Sequence, residues 1–298
     1  MLSYLLLGVM ILMYTLQSIF TRKYSDHYPQ REELASPVFT ICSGITVVIV
    51  SLIMCKFSFA ASWQTVLLGV INGFSLILYN TSFIKASRSG PYSVLMVFVI
   101  AGGILIPTAV GAIAFSDQVT IARAACMAVV LAAVPFVCMK DESTKLQKGF
   151  FLACTLLGVG NGLYGTMLDV QQRLTGAGEK EEMVAITFFV AVVISCILLL
   201  AQQKRQFLAV MKQTKQSALY LVLASLVVAG AIHLLTAMLG MMDLALLYTF
   251  DNSGVLMFSV LCSWVFFKEK LSLKNWIGCA VMCIALTLMM GWDWIFSM

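Results

Sequence analysis

The chain has 298 residues, 61% of them hydrophobic and only 11% charged, with a formal charge of +5 at pH 7. A soluble domain is about half apolar and about a quarter charged, so this chain has too few polar residues for a water-facing surface, and lipid is the solvent left to it. The positive charge does not mark a nucleic-acid binder, because the basic residues are scattered through short loops between apolar runs.

Ten apolar runs follow in chain order, at 2–21, 37–55, 64–85, 91–114, 119–139, 149–170, 183–201, 217–240, 244–267 and 272–292. Each is about 20 residues, enough to cross about 30 Å of hydrocarbon as a helix. A barrel would show short alternating segments instead. Met1–Phe20 has no basic leader and no small-x-small cleavage site, and Arg22 and Lys23 follow it, so it is read as a retained first span. The connections are short, the longest at 22–36 and 202–216, and none has room for a soluble domain.

The nine cysteines lie in or at the ends of apolar runs, with no C-x-x-C pair and no Cys/His zinc spacing. They are read as small apolar residues, and no metal site is expected. There is no Gly-rich P-loop, no H-E-x-x-H and no G-x-S-x-G elbow. An ATP-driven pump and the known membrane hydrolases are thereby disfavoured. The chain is expected not to be an enzyme and to need no cofactor.

The two halves resemble each other. Ser116-Asp117-Gln118-Val119-Thr120-Ile121 has its match in Lys268-Glu269-Lys270-Leu271-Ser272-Leu273, 152 residues further on. Acidic, polar, aliphatic, hydroxyl and aliphatic residues recur in that order. Gly8 and Tyr14 pair more loosely with Gly158 and Tyr164. Five spans is an odd number, so a second copy must enter the membrane inverted. Basic residues favour cytoplasmic loops. In the first half, loops one and three carry Arg22, Lys23, Arg31, Lys85 and Arg88, while loops two and four carry Lys56 and Arg123. In the second half, loops one and three carry only Arg173 and Lys180, while loops two and four carry Lys204, Arg205, Lys212, Lys215, Lys268, Lys270 and Lys274. The bias reverses, as inversion requires. With Lys140, Lys145 and Lys148 of the linker, fifteen basic residues fall on one face and four on the other. Both termini are then expected on the non-cytoplasmic side.

These features resemble the drug/metabolite transporter superfamily, in its ten-helix EamA-type branch. The resemblance spans nearly the whole chain. It is clearest at Glu269-Lys270-Leu271-Ser272 followed by Trp276-Ile277-Gly278, which is similar to the family's G-E-[KR]-[LI]-[ST] turn and Gly-containing last helix. Lys268 stands where the family has Gly, Asp117 replaces Glu in the first copy, and span 9 lacks the proline that span 4 has at Pro107. The resemblance implies transport of a metabolite without naming it.

Asp251 is the most informative residue. It lies inside span 9, where a carboxylate costs about 2.5–3.5 kcal/mol on insertion scales. It is read as a partner for a substrate amine or as a proton acceptor; the competing reading is a hydrogen-bonded or protonated structural Asp. Tyr248, Asn252, Ser259 and Ser263 lie beside it at helical spacing, and Gly254 leaves room for a ligand or a neighbouring helix. In span 6, Gly158 and Gly162 read as a close packing site, Asn161 and Tyr164 as cavity candidates, and Asp169 as a solvated span-end residue. Tyr14 and Gln17 occupy the equivalent region of span 1. Asn72, Tyr79 and Asn80 of span 3 complete the polar set. His233 in span 8 is either a proton-coupling group, since imidazole titrates near neutrality, or a structural donor. Gly90-Pro91 and Pro107 punctuate span 4, as fixed kinks or as hinges.

The expected architecture is therefore an all-α integral membrane protein of ten transmembrane helices in two inverted five-helix repeats, 1–140 and 149–298, joined by a linker at 141–148. The expected function is a secondary transporter or exporter of a small metabolite (an amino acid, amine or similar) in the cell membrane, working by alternating access between the repeats. Its expected partners are that small-molecule substrate, the lipid bilayer and a coupling proton, with no nucleic acid. A non-transporting assembly or sensor component is the alternative, and a lipid-acting enzyme would need a pair of catalytic groups near one face that the loops do not offer.

Overall fold

The computed structural model describes residues 2–116, 120–137, 147–175, 177–202, 210–238, 241, 244–269 and 272–296. Ten long helices account for nearly all of these: α1 (Leu2–His27), α2 (Glu32–Met54), α3 (Trp63–Ser89), α4 (Tyr92–Ala114), α5 (Ile121–Val137), α6 (Phe150–Thr175), α7 (Lys180–Gln202), α8 (Lys215–Met238), α9 (Leu244–Phe267) and α10 (Leu273–Phe296). A single 3₁₀ turn, Ala177–Glu179, precedes α7. Seven of the helices, α1 to α4 and α6 to α8, are long and apolar enough to cross a membrane. Shorter apolar stretches follow at Gly254–Phe267 and Leu273–Ala285. The chain is a multi-pass membrane protein on these grounds, and large side chains such as Leu5, Phe74, Ile113 and Ile121 stand exposed on the outside of the bundle, where lipid replaces water as their solvent.

Local sequence accounts for the helix ends. Ser62 caps α3 by accepting the Thr65 N–H at 3.3 Å. Gly90 closes α3 and Pro91 opens α4, where a missing N–H costs nothing. α2 ends with Lys56 in the left-handed region at φ 53°, and the Phe57 N–H reaches back to the Leu52 carbonyl at 2.9 Å, a Schellman closure made without glycine. α1 continues past the apolar run to His27, because the bundle satisfies its polar end. Tyr24 is fully buried and donates to the Ala35 carbonyl at 3.0 Å, and Ser25 accepts from Arg88 Nε at 2.9 Å.

Helix association in lipid depends on close packing more than on apolar burial. The tightest contact is α4 on α6. A side chain at Gly102 would overlap the Gly158 carbonyl, and one at Gly162 would overlap the Gly102 carbonyl. The Gly158-x-x-x-Gly162 pair thus packs on a neighbouring helix, as the spacing suggests. Gly254 likewise accommodates a neighbour, the Ile11 side chain of α1.

Across the two halves, α3 packs on α6 and α7, α4 on α6, α1 on α8 and α9, and α2 on α8. The pairs α2 with α7, α4 with α9 and α5 with α10 complete the set. Raising each helix number by five, and wrapping round, turns this set into itself. At one end of the bundle, Tyr28 donates to the Val210 carbonyl, Gln147 N–H to the Ser89 carbonyl, and Arg22 pairs with Glu269. At the other end, Ser62 meets Glu179 and Lys180 meets the Thr236 carbonyl.

Candidate functional site

A cavity of about 150 Å³ lies between the halves. Eight helices line it: α1 to α4 from the first half and α6 to α9 from the second. α1 contributes Tyr14, Gln17 and Ser18; α2 contributes Phe39 and Ser43; α3 contributes Leu76, Tyr79 and Asn80. α4 adds Val99, Ile100 and Gly103, and α6 adds Asn161, Tyr164 and Gly165. Phe188 of α7, Ile232 of α8, and Asp251, Asn252 and Val255 of α9 close it.

Eight of the polar residues singled out from sequence meet here: Tyr14, Gln17, Tyr79, Asn80, Asn161, Tyr164, Asp251 and Asn252. Asp251 Oδ1 is buried without a hydrogen-bond partner among the described residues. A buried carboxylate oxygen left unpaired is costly, and a cavity is where a ligand or water can pair it. Asn161 is held by donating Nδ2 to the Val99 carbonyl at 2.9 Å. Gly103 sits between Asn161 and Asn252: a Cβ there would lie 2.7 Å from Asn161 Nδ2 and 3.6 Å from Asn252 Oδ1. Pro107 remains inside a continuous α4. Having no N–H, it leaves the Gly103 carbonyl without its helical donor, so a spare acceptor belongs to a residue of the cavity wall. Tyr14 and Tyr164, matched in the repeat alignment, both line the cavity.

The remaining candidates lie elsewhere. Asn72 is fully buried near the α3–α7 contact, away from the lining, and neither of its amide atoms has a hydrogen-bond partner among the described residues. His233 is buried on a face of α8 turned away from the lining, with Nδ1 2.6 Å from Glu181 Oε2 and Nε2 3.4 Å from Ser51 Oγ. The Tyr248 side chain lies outside the described residues, as do Asp117 and Lys270. Ser259 and Ser263 are fully buried, and Ser259 accepts from the Tyr92 hydroxyl at 3.4 Å, which makes them packing groups of α9. Asp169 pairs with Arg173 one turn on at 2.9 Å.

Ser18, Ser43, Gly103 and Glu181 carry weight in the structure and drew no attention in the sequence. Single hydroxyls and glycines in apolar runs are too common to signal a cavity. Glu181 was hidden because the hydropathy boundary of span 7 fell at residue 183, whereas α7 begins at Lys180.

Glu269 organises one end of the bundle. Its carboxylate accepts from the N–H groups of Tyr92 at 2.6 Å and Ser93 at 3.2 Å, so it caps α4 from the α9–α10 connection. Arg22 Nη1 pairs with it at 2.7 Å, and the guanidinium lies 4.1 Å from the Phe267 ring centroid. In the other half of the bundle, Arg173 lies 4.7 Å from the Phe115 ring. The residue before the acidic position is left-handed in both copies, Ser116 at φ 57° and Lys268 at φ 51°. That backbone favours glycine.

No family model and no curated protein matches the sequence. A solved structure described only as "Crystal structure of protein" superposes with a TM-score of 0.68, covering 99% of this chain and 99% of its own, at 14% sequence identity. At that identity the likeness is one of fold.

Proposed function

We propose that this chain is a secondary transporter, of the drug/metabolite transporter type, that moves a small metabolite (an amino acid, amine or similar) across the cell membrane. It is built from ten membrane crossings in two inverted five-helix repeats, and it works by alternating access. The carrying observation is the unpartnered Asp251 oxygen in a cavity lined by four helices of each half. An engineered cavity of about 150 Å³ holds benzene, so the solute is small.

The helix pairing that maps onto itself on a shift of five supports the repeat, as do the paired left-handed residues Ser116 and Lys268. Contacts that gather the basic loops at one end and the Lys56 and Lys180 loops at the other support ten crossings with both termini on the charge-poor, non-cytoplasmic side. A non-transporting assembly or sensor component would have its central polar groups satisfy one another; the Asp251 oxygen, unpaired among the described residues, argues for transport.

Counterflow into proteoliposomes, with a panel of amino acids and amines, tests the reading. Asp251→Asn is expected to cut exchange at least tenfold. Normal exchange by Asp251→Asn across the pH range would remove the role given to Asp251. Gly165→Leu adds a control, because a Cβ at Gly165 meets open space at the cavity wall. That variant is expected to keep its stability and lose exchange.

A further inference from the structure

The cavity is not the only place where a titratable group is buried. His233 and Glu181 sit apart from its wall, at the end of the bundle where α2 finishes and α7 begins. His233 Nδ1 lies 2.6 Å from Glu181 Oε2, and its side chain is 7% exposed. Glu181 Oε1 accepts from the Thr236 hydroxyl at 2.8 Å, and Lys180 Nζ donates to the Thr236 carbonyl at 3.2 Å. The second imidazole nitrogen faces Ser51 Oγ of α2 at 3.4 Å. The cluster therefore joins α2, α7 and α8.

We infer that His233 and Glu181 form a proton-binding site, distinct from the cavity, whose occupancy sets the contact between α7 and α8. The inference rests on the transport reading, since it supplies that cycle with its coupling ion.

The geometry suits a proton that comes and goes. With the proton bound, the imidazolium faces the Glu181 carboxylate on its Nδ1 side and Ser51 on its Nε2 side, so its charge has a counter-ion beside it. When the proton leaves, His233 is neutral, and the Glu181 carboxylate keeps the Thr236 hydroxyl and the nearby Lys180 ammonium. Neither state strands a charge, so the pair can cycle. Glu181 is 23% exposed, which gives protons a way in from that face. The coupling route is short, because Ile232, beside His233 in the chain, and Leu235 both line the cavity. A shift of α8 against α7 moves the cavity wall and parts the ion pair together. Proton and solute then affect each other's binding reciprocally.

Among the described residues few other charges reach the site. From α7 it is faced by Lys180, Glu181 and Glu182, the last accepting from the Cys55 thiol beyond α2. α1 also packs on α8 but has no titratable residue between Tyr4 and Tyr14. On α8 itself the nearest are Tyr220 and Lys215, three or more turns away.

Two measurements test this. The chain has two histidines, so His27→Gln leaves His233 alone in an imidazole NMR spectrum. In that background Glu181→Gln is expected to change the pH dependence of the His233 imidazole resonances. An unchanged pH dependence would overturn the pair. This result stands whether or not any solute is moved. The second measurement uses pyranine-loaded proteoliposomes given L-alanine, L-leucine, L-tryptophan or ethanolamine. His233→Asn is expected to lose solute-driven proton flux by about tenfold or more, read beside solute exchange in the same vesicles. Parental proton flux in His233→Asn would overturn the assignment. Absence of exchange by the parent protein with all four solutes would count against transport itself, leaving the NMR titration to decide the proton site.

Discussion

At the scale of single residues, the structure explains two departures from simple expectation. Lys268 takes a left-handed backbone at φ 51° in place of the glycine such a turn prefers. A non-glycine residue there is strained by about 1 kcal/mol, and Lys268 is exposed, so its side chain is dispensable. Lys268→Gly is expected to raise stability by about 1 kcal/mol in thermal unfolding of the detergent-solubilised protein. Cys55 differs from the thiols within the bundle. Burial, then the charges of Glu182 and Glu181, push it up to about 11. With the other cysteines replaced, maleimide labelling of Cys55 at pH 7.5 is expected to run about a hundredfold slower than for a free thiol. The rate should climb as pH rises toward that value, and Glu182→Gln should accelerate it.

At the scale of elements, two helix junctions are held by specific groups. Glu179 docks the turn before α7 onto the cap of α3. Hydrogen bonds from the Thr65 hydroxyl, then from the Ser62 hydroxyl and N–H, hold its carboxyl below the usual range. A lowered carboxylate stabilises the docked form above the ordinary value, and that contribution is lost as pH falls through the lower, folded value. Amide exchange at Ser62 and Thr65, corrected for intrinsic rates, should therefore quicken below about pH 4, and Glu179→Gln should remove the pH dependence. The α4–α6 contact is held by the absence of side chains. A Cβ at Gly158 would lie 2.6 Å from the Phe98 carbonyl, so Gly158→Leu is expected to cost more than about 2 kcal/mol, read as a lower unfolding temperature.

For the whole molecule, Glu269 ties the last connection to the first helix and to the start of α4. Its removal strands Arg22, whose side chain is 14% exposed, and uncaps α4. Glu269→Gln is expected to lower stability by about 3 kcal/mol. Arg22→Gln combined with Glu269→Gln should recover part of that loss, because no buried charge is then left alone. Glu269 is thus a tie between the two halves of the chain.

What the sequence by itself determined was the solvent and the ten long helices of the described residues. Apolar runs of membrane length leave helix as the way to satisfy every backbone group in lipid, and each of the ten runs coincides with one long helix to within a few residues at its ends. It also marked Asp251, because a carboxylate inside such a run is conspicuous whatever surrounds it. Tertiary structure alone decided which polar groups meet. Asn72 and Tyr79 sit two turns apart on one helix, yet only Tyr79 reaches the cavity, because the neighbours of α3 change along its length from α7 to α6. His233 found Glu181 rather than the cavity, since α7 starts a turn earlier than hydropathy places it. A span's composition fixes that it is buried in lipid; which face it turns to which partner is fixed by glycine-lined contacts between helices far apart in the chain.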